Sequence, residues 1–399
     1  MTTEETSPSS VQLRSETPFW RDERVLRIIA QVVSSLLVIG FIIFLVINFF
    51  DAAEQRGLSL SYDFLSEAAG FPISESVIPY DPSYSFGYAF IVGVLNTLKV
   101  TLVGIVVATM LGTLVGLARL SSNWLLSHIA LIYIEFHRNI PLLVLLFLWY
   151  FAVFQRLPPV KDSIQWPGPI YLNQRGLYLT WSRLSSTGLI FIIFLILGIG
   201  LAIIAWIVLR RLREATGRPT YFGAVSLSLL ILFPTIGWFI AGGQPLVIDA
   251  PFLEGFNFQG GLRLTLEFTA IFVGLTMYTA AFIAEVVRAG IQAVSRGQLE
   301  AAMAVGLNNL QVLGLVIIPQ AMRVIIPPMI SQYLNLAKNS SLAIAIGYLD
   351  LFFAGRTIIN QAGRAVPVFS MIMASYLIIS IITSIILNFY NRRIQFVER

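Results

Sequence analysis

Along the 399-residue chain, polar and apolar positions segregate into long uncharged runs separated by short charged stretches. An uncharged run of about 18 residues or more is long enough to cross the hydrocarbon core of a bilayer as a helix. The pattern predicts eight such spans. They are Ile28–Phe50, Val100–Ala118, Asn139–Gln155, Thr187–Leu209, one within Pro219–Gly242, Leu264 to about Val287, Val324–Tyr348 and Pro367–Tyr390. The first is too long for a cleaved signal peptide, and no small-residue cleavage site closes it. Only the seventh is visibly interrupted, by Pro327, Pro328 and Lys338, so the one broken span is expected there. In the second, Gly104, Ala108, Gly112 and Gly116 recur every four residues. Small residues at that spacing let helix backbones approach closely in lipid; packing is the plain reading, and lining a path the sharper one.

An even number of spans puts both termini on one side, and the distribution of Arg and Lys selects the side. With the termini cytoplasmic, sixteen basic residues fall on inner segments and eight on outer ones, while Lys99 and Lys338 lie within or beside spans. Lys99, at the outer end of the second span, reads as a snorkelling side chain. The 156–183 loop runs against the rule, with Arg156, Lys161, Arg175 and Arg183 on the outer side. The chain then divides into a polar cytoplasmic tail (1–26), a first span (27–50) and an outer segment (51–85). Core spans two and three follow (86–155), then an insertion with two extra spans (156–262), further core spans (263–390) around an inner loop (289–319), and a short inner C-terminus (391–399). The Ser-, Thr-, Glu- and Pro-rich residues 1–20 read as a disordered tail. The segments 156–186 and 243–263 read as solvated connections or as partner contacts.

Composition restricts the function classes. Hydrophobic residues make up 57% of the chain and charged residues 12%, against about 25% charged in a typical globular protein, and mean hydropathy is +0.80. A soluble enzyme, a nucleic-acid reader and a disordered chain are excluded. With no cysteine, disulfides, Cys-ligated zinc and thiol catalysis are excluded, and two histidines, His128 and His137, offer little for a multi-histidine metal site. A phosphate-binding loop needs a lysine directly after glycine. The three lysines here follow Leu98, Val160 and Ala337, so any ATP used must be hydrolysed by another polypeptide. No catalytic constellation stands out.

The inner loop after the sixth span is the informative region. Gln298–Val305 has the composition of a short helix, Gly306 supplies a left-handed stop, and Pro319 restarts the chain. Such a helix is either an ordinary surface element or a rigid knob for another protein to grip. The string Glu300-Ala301-Ala302, three residues, Gly306, then Val316-Ile317-Ile318-Pro319 resembles the cytoplasmic signature of ABC importer permeases. Tyr278-x-Ala280-Ala281-x-x-Ala284-Glu285-x-x-Arg288-x-Gly290-Ile291 is similar to the polar amino-acid uptake branch of that family. So are Glu135-x-x-Arg138-Asn139-x-Pro141-Leu142-Leu143 and Lys338-Asn339-Ser340-Ser341-Leu342. The chain length, Pro18–Asp22 and Ser74–Tyr80 resemble the long permeases of general L-amino acid transporters, which are expected to carry the 156–262 insertion. His137 departs from the pattern, where an apolar or aromatic residue is expected.

The resemblance implies an all-α polytopic membrane protein of about eight transmembrane helices, with a type I ABC importer permease core in a bacterial inner membrane. It implies that the Glu300–Pro319 loop couples to separate ATPase subunits, which bind the ATP and Mg; no cofactor is expected on this chain. It implies a periplasmic binding protein that delivers an L-amino acid, and a second homologous permease as the other half of the pathway, in a heterodimer as long-type systems tend to form, with a homodimer as the alternative. Among individual residues, Glu285 with Arg288 and Glu135 with Arg138 are spaced i, i+3 on a helix face. Each pair reads either as a local ion pair or as support for the ATPase-facing surface. Lys338 falls 15 residues, or about 22 Å of helix, beyond Arg323. A cation at that depth is costly and is paired, solvated or functional. Together with Asn335, Asn339, Ser340 and Ser341 it reads as a polar patch meeting a substrate carboxylate, or as a structural pair. An ion-coupled secondary transporter is the alternative function, but it lacks the paired broken helices of that class; a membrane scaffold without transport is a third.

Overall fold

The structure is a computed structural model that describes residues 23–55 and 60–394. The expected tail, the Pro18–Asp22 stretch, Arg14, Arg21, Arg56 and Arg399 lie outside the described residues. Twelve helices and eight short strands are present among them. Seven helical stretches are long and apolar enough to cross a membrane, and a bent pair supplies an eighth. The first, α1 (Glu23–Gln55), belongs to a unit of its own and is hydrophobic all round, as a membrane-crossing helix is.

The second unit begins with a loop and α2 (Phe86–Arg119), capped by Ser85, whose Oγ accepts from Tyr88 N. Next come α3 (Trp124–Asn139) and α4 (Leu142–Phe147), which continues through a π turn and a 3-10 turn to Arg156. These two helices meet at 108°. The third span is therefore the broken one, and the break expected at 324–348 is not there. Ile140 precedes Pro141 and is extended (φ −103°, ψ 130°), because the proline ring disfavours helical backbone in the residue before it. By contrast α10 (Ile318–Asn339) runs through Pro327 and Pro328 without a break and passes into a 3-10 turn to Ile346. Ile325, Ile326 and Ile330 beside those prolines are buried, so packing holds the helix where local propensity argues against it.

Between α4 and α10 the chain forms α5 (Gly188–Thr216), α6 (Phe222–Ile240), α7 (Leu266–Gln292), α8 (Arg296–Ala304) and α9 (Asn309–Val312). It ends with α11 (Leu351–Ala362) and α12 (Ala365–Ile394). The extra helices α5 and α6 pack on each other, with Gly198 against Phe233 and Gly237 against Phe194. The segments flanking this hairpin fold together into short strands, where the sequence read as solvated connections or as partner contacts. They hold β1 (Ile164–Trp166), β2 (Ile170–Asn173), β3 (Gly176–Leu179), β4 (Trp181–Leu184), β5 (Leu246–Asp249), β6 (Phe252–Glu254), β7 (Asn257–Gln259) and β8 (Leu262–Leu264). Three antiparallel sheets result, in the orders β1-β2-β3-β8, β4-β5 and β6-β7. Pairing of β3 with β8 and of β4 with β5 ties residues before the hairpin to residues after it. The strands are short enough that alternation of two or three apolar residues gives little signal.

The core is centred on α7, the most buried of the spans. The small-residue ridge of α2 lies against it. A Cβ added at Gly112 would stand 2.7 Å from the Ala280 carbonyl and from Ile283, and one at Gly116 would stand 2.7 Å from the Ala284 carbonyl. Packing is thus the role of the ridge. Gly112→Ala pushes a methyl group into backbone, which cannot yield as a side-chain tip can. We expect a loss of about 1–3 kcal/mol, read as a lower thermal midpoint of the purified protein. An unchanged midpoint would mean that α2 and α7 are not locked at this contact.

Candidate functional site

Two clusters of polar chemistry lie toward opposite ends of α7. At its C-terminal end the chain turns into the 293–317 loop, and α8 stands where a short helix is expected. Gly306 has φ +86°. Its N–H donates to the Met303 carbonyl and the N–H of Leu307 donates to that of Ala302, at 2.9 and 3.2 Å. This is a Schellman closure, in which only a residue tolerant of left-handed backbone fits. Asn308 and Gln311 then cap α9 reciprocally. Ala302 is buried, whereas Glu300, Ala301, Met303 and Val305 are exposed, Val305 at 77%. Pro319 is the second residue of α10 and follows the π turn Leu313–Ile317, so it lies within a helical run continuous from α9 and does not restart the chain.

The paired charges diverge in detail. Arg288 grips Glu285 through two nitrogens, its Nε at 2.9 Å, and also donates to Gln292. This is the local pair. Glu135 and Arg138 form no ion pair: Glu135 accepts from Asn139 Nδ2 at 2.8 Å, and the Arg138 guanidinium lies 5.5 Å from the Phe282 ring centre on α7. Arg138 and Arg119 lie within electrostatic reach of Glu285. Arg119 in turn donates to Ser127 Oγ, whose hydroxyl returns to the Arg119 carbonyl. The ends of α2, α3 and α7 are thereby joined beside the 293–317 loop. His137 is buried between Tyr133 and Phe136, its Nδ1 on the Tyr133 carbonyl.

The patch around Lys338 does not act as one cluster. Lys338 and Ser341 line a cavity of about 640 Å³ with Phe352, Phe369, Ile372 and Tyr376 among its other walls. Lys338 is exposed and forms no ion pair among the described residues. Ser341 Oγ donates to the Lys338 carbonyl and Ser340 Oγ to that of Ala337, so both hydroxyls are turned onto their own helix. Ser340 is buried, while Asn335 is exposed and Asn339 half-buried. Behind Tyr376 lies Asp350, a carboxylate absent from the sequence-based candidates. It caps α11 through Phe353 N and accepts from Tyr376 Oη at 3.3 Å; burial pushes its carboxyl up to about 6. An aspartate directly before an apolar helix is a capping signal and marks it in retrospect.

A second residue missing from that set is Glu75. Its buried carboxylate meets Lys99 of α2 through Oε1 and accepts from Thr265 N (2.9 Å) and Thr265 Oγ1 (2.6 Å) through Oε2. Thr265 is the N-cap of α7. The Glu75 carbonyl accepts from Asn96 Nδ2, which also donates to the Leu349 carbonyl. Lys99 lies 4.3 Å from the Phe268 ring centre. It does not snorkel, because an acid from the preceding segment reaches it. In the sequence Glu75 stands within the Ser74–Tyr80 stretch that carries a family resemblance, but nothing there marks its carboxylate as buried or paired.

Comparison with known proteins agrees with this arrangement. Residues 198–396 match the family described as "Binding-protein-dependent transport system inner membrane component". The protein YhdX of Escherichia coli K12 is 44% identical over 371 residues, covering 92% of this chain and 94% of its own. The general L-amino acid transport system permease protein AapQ of Rhizobium johnstonii is 40% identical, covering 95% and 94%. The glutamate/glutamine/aspartate/asparagine transport system permease protein BztB of Rhodobacter capsulatus is 38% identical, covering 95% and 96%. With its eight candidate spans and these full-length relatives, the chain belongs to the inner-membrane permease components of binding-protein-dependent ABC transport systems.

Proposed function

We propose that the chain forms half of a translocation pathway for L-amino acids and that it is driven through the 293–317 loop by separate ATPase subunits. The observation that carries this reading is α8. It is a short helix closed at its C-terminal end by the chain's own left-handed turn, and it presents Glu300, Met303 and Val305 outward between two candidate membrane-spanning helices. A rigid, partly apolar knob transmits displacement because it has little internal freedom to absorb it. The Glu285–Arg288 pair and the Arg119–Ser127 link brace the membrane side of the loop.

In this scheme the termini and the loop face the cytoplasm, and the cap of strands faces the periplasm. ATP and Mg belong to the ATPase; this chain binds no cofactor. A periplasmic binding protein delivers the substrate, and a second homologous permease completes the pathway. An amino-acid cargo follows from what AapQ and BztB are named for. Lys338, with a donor group and no ion-pair partner among the described residues, is the residue assigned to the substrate carboxylate, with Ser341 at the same cavity, Asn335 and Asn339 nearby along the helix, and Ser340 buried behind them.

The test is reconstitution in liposomes with the products of neighbouring genes. ATP hydrolysis is expected to rise when loaded binding protein is added, and uptake to need ATP and to survive an ionophore. Lys338→Glu is expected to cut uptake by about tenfold or more, since reversing one partner of a close charge contact costs about 2–5 kcal/mol. Full uptake by that variant would remove Lys338 from the pathway. Uptake abolished by the ionophore, with no associated ATPase, would replace the scheme with ion-coupled transport.

A further inference from the structure

The surplus of cations in the 156–183 segment, which runs against the topology rule, has no part in the pathway described so far. The folded segment places two of them at one spot. Arg175, Tyr178, Asn257, Phe258, Gln259 and Arg263 line a cavity of about 470 Å³ between the β2-β3-β8 face and the β6–β7 hairpin. Both guanidinium groups are held by backbone. Arg263 donates through Nε and Nη2 to the Arg175 carbonyl at 3.3 and 3.2 Å and lies 6.0 Å from the Tyr178 ring centre. Arg175 Nη1 donates to the Phe256 carbonyl at 3.3 Å. The floor is a packed aromatic set, with Phe258 4.5 Å from Tyr171 and 5.0 Å from Tyr178 between ring centres.

Charge is not balanced here. Across 156–186 and 243–264 the sequence has five basic residues and three acidic ones, Asp162, Asp249 and Glu254. Asp249 is occupied by Arg183 at 2.6 Å. Neither Arg175 nor Arg263 has an ion-pair partner among the described residues. Beside the cavity a third cation, Lys161, lies 5.4 Å from the ring centre of Phe256, which is 74% exposed. Two oriented guanidinium groups with amides at the rim suit a carboxylate, which takes parallel N–H bonds from such forks. Arginine next to an exposed aromatic is the composition of a protein–protein hot spot.

We propose that this cavity is a docking site for a carboxylate on the surface of the substrate-binding protein. The proposal rests on the importer reading above and adds to it where on this chain the partner seats. Exposed amides and an exposed phenylalanine around the arginines fit a protein surface better than a lipid headgroup, which would need only the cations. The site is also joined to the moving parts by covalent connection. Arg263 lies two residues before Thr265, the N-cap of α7, and the other end of α7 leads into the 293–317 loop. A partner bound at the cap therefore loads the helix that ends at the ATPase-facing loop.

The experiment uses the full complex in vesicles of phosphatidylethanolamine and phosphatidylglycerol. It measures the concentration of loaded binding protein that gives half-maximal stimulation of ATP hydrolysis, at low and at high salt. Arg175→Glu and Arg263→Glu are expected to raise that concentration by about tenfold or more and to remove most of its salt dependence. Saturating binding protein is expected to restore the wild-type rate. Because Arg263 also holds a backbone carbonyl, a second variant, Asn257→Asp with Gln259→Glu, adds negative charge at the rim while leaving those bonds intact; the same shift is expected. Unchanged half-maximal concentrations in all three variants, with normal stimulation of the wild type, would overturn the docking site. A defect that follows replacement of phosphatidylglycerol by phosphatidylcholine, and not the concentration of binding protein, would assign the cavity to a lipid phosphate and overturn it too. A wild type that no loaded binding protein stimulates would overturn the importer reading itself, and the docking site with it.

Discussion

Gly306→Arg and Glu300→Lys are expected to reduce binding-protein-stimulated ATP hydrolysis to its basal level and to lower uptake by about a hundredfold, the effect of losing roughly 2.7 kcal/mol of coupling. The two changes act differently. Gly306 occupies left-handed backbone at φ +86°, where a side chain with a Cβ costs about 1–2 kcal/mol. No atom lies within 4 Å of the Cβ position, so the penalty is conformational and not a clash. The N–H groups of Gly306 and Leu307 that close α8 depend on that conformation, and without it the last turn frays. Asparagine tolerates this region, so Gly306→Asn is expected to keep most of the activity. Glu300→Lys leaves helix propensity nearly unchanged and alters only the charge of an exposed face. Loss in the arginine and lysine variants with retention in asparagine identifies α8 as the coupling element. If the arginine and lysine variants hydrolyse and transport as wild type does, α8 is an ordinary surface helix.

Much of this end of the molecule was legible because it is encoded locally. The composition of Gln298–Val305 and the glycine after it specify a helix and its stop, and the structure has α8 at Arg296–Ala304 with Gly306 left-handed. The long apolar runs were legible for the same reason, as each is one element satisfied by its own hydrogen bonds. What could not be read depends on partners distant in the chain. Pro141 bends the third span and Pro327 does not bend the seventh, although both follow isoleucine, because buried neighbours hold α10 through its prolines. The strands of the cap pair across the intervening α5–α6 hairpin, Leu177 with Leu264 and Arg183 with Val247. Asn335, Asn339, Ser340 and Ser341 lie close to Lys338 along the chain, yet both serine hydroxyls bond to their own helix, and of the five residues only Lys338 and Ser341 line the cavity. Sequence proximity gave the neighbourhood of the patch and not its orientation.

Glu75→Ala is expected to destabilise the protein by about 3–5 kcal/mol, because removing one partner of a buried ion pair leaves the other charge uncompensated. The Glu75 side chain is 7% exposed and that of Lys99 25%, so little water is at hand to solvate the ammonium left behind. The same change removes the acceptor for Thr265 N and Oγ1, at the first turn of the most buried helix. It therefore removes the side-chain tie of the segment before α2 to both α2 and α7, while the Glu75 carbonyl keeps its bond from Asn96. Glu75→Gln keeps the shape and one acceptor oxygen but still strands Lys99, and a smaller loss is expected. Replacing both charges, Glu75→Gln with Lys99→Met, removes the uncompensated ammonium, so the double variant is expected to be more stable than the sum of the single losses. A double-mutant cycle on the thermal midpoint of the purified complex measures this coupling. A coupling near zero would mean that Lys99 is stabilised by the Phe268 ring alone, and that Glu75 contributes only as the cap of α7. A large coupling identifies the pair as the clasp by which the polar loop before α2 fixes the end of α7 opposite the 293–317 loop.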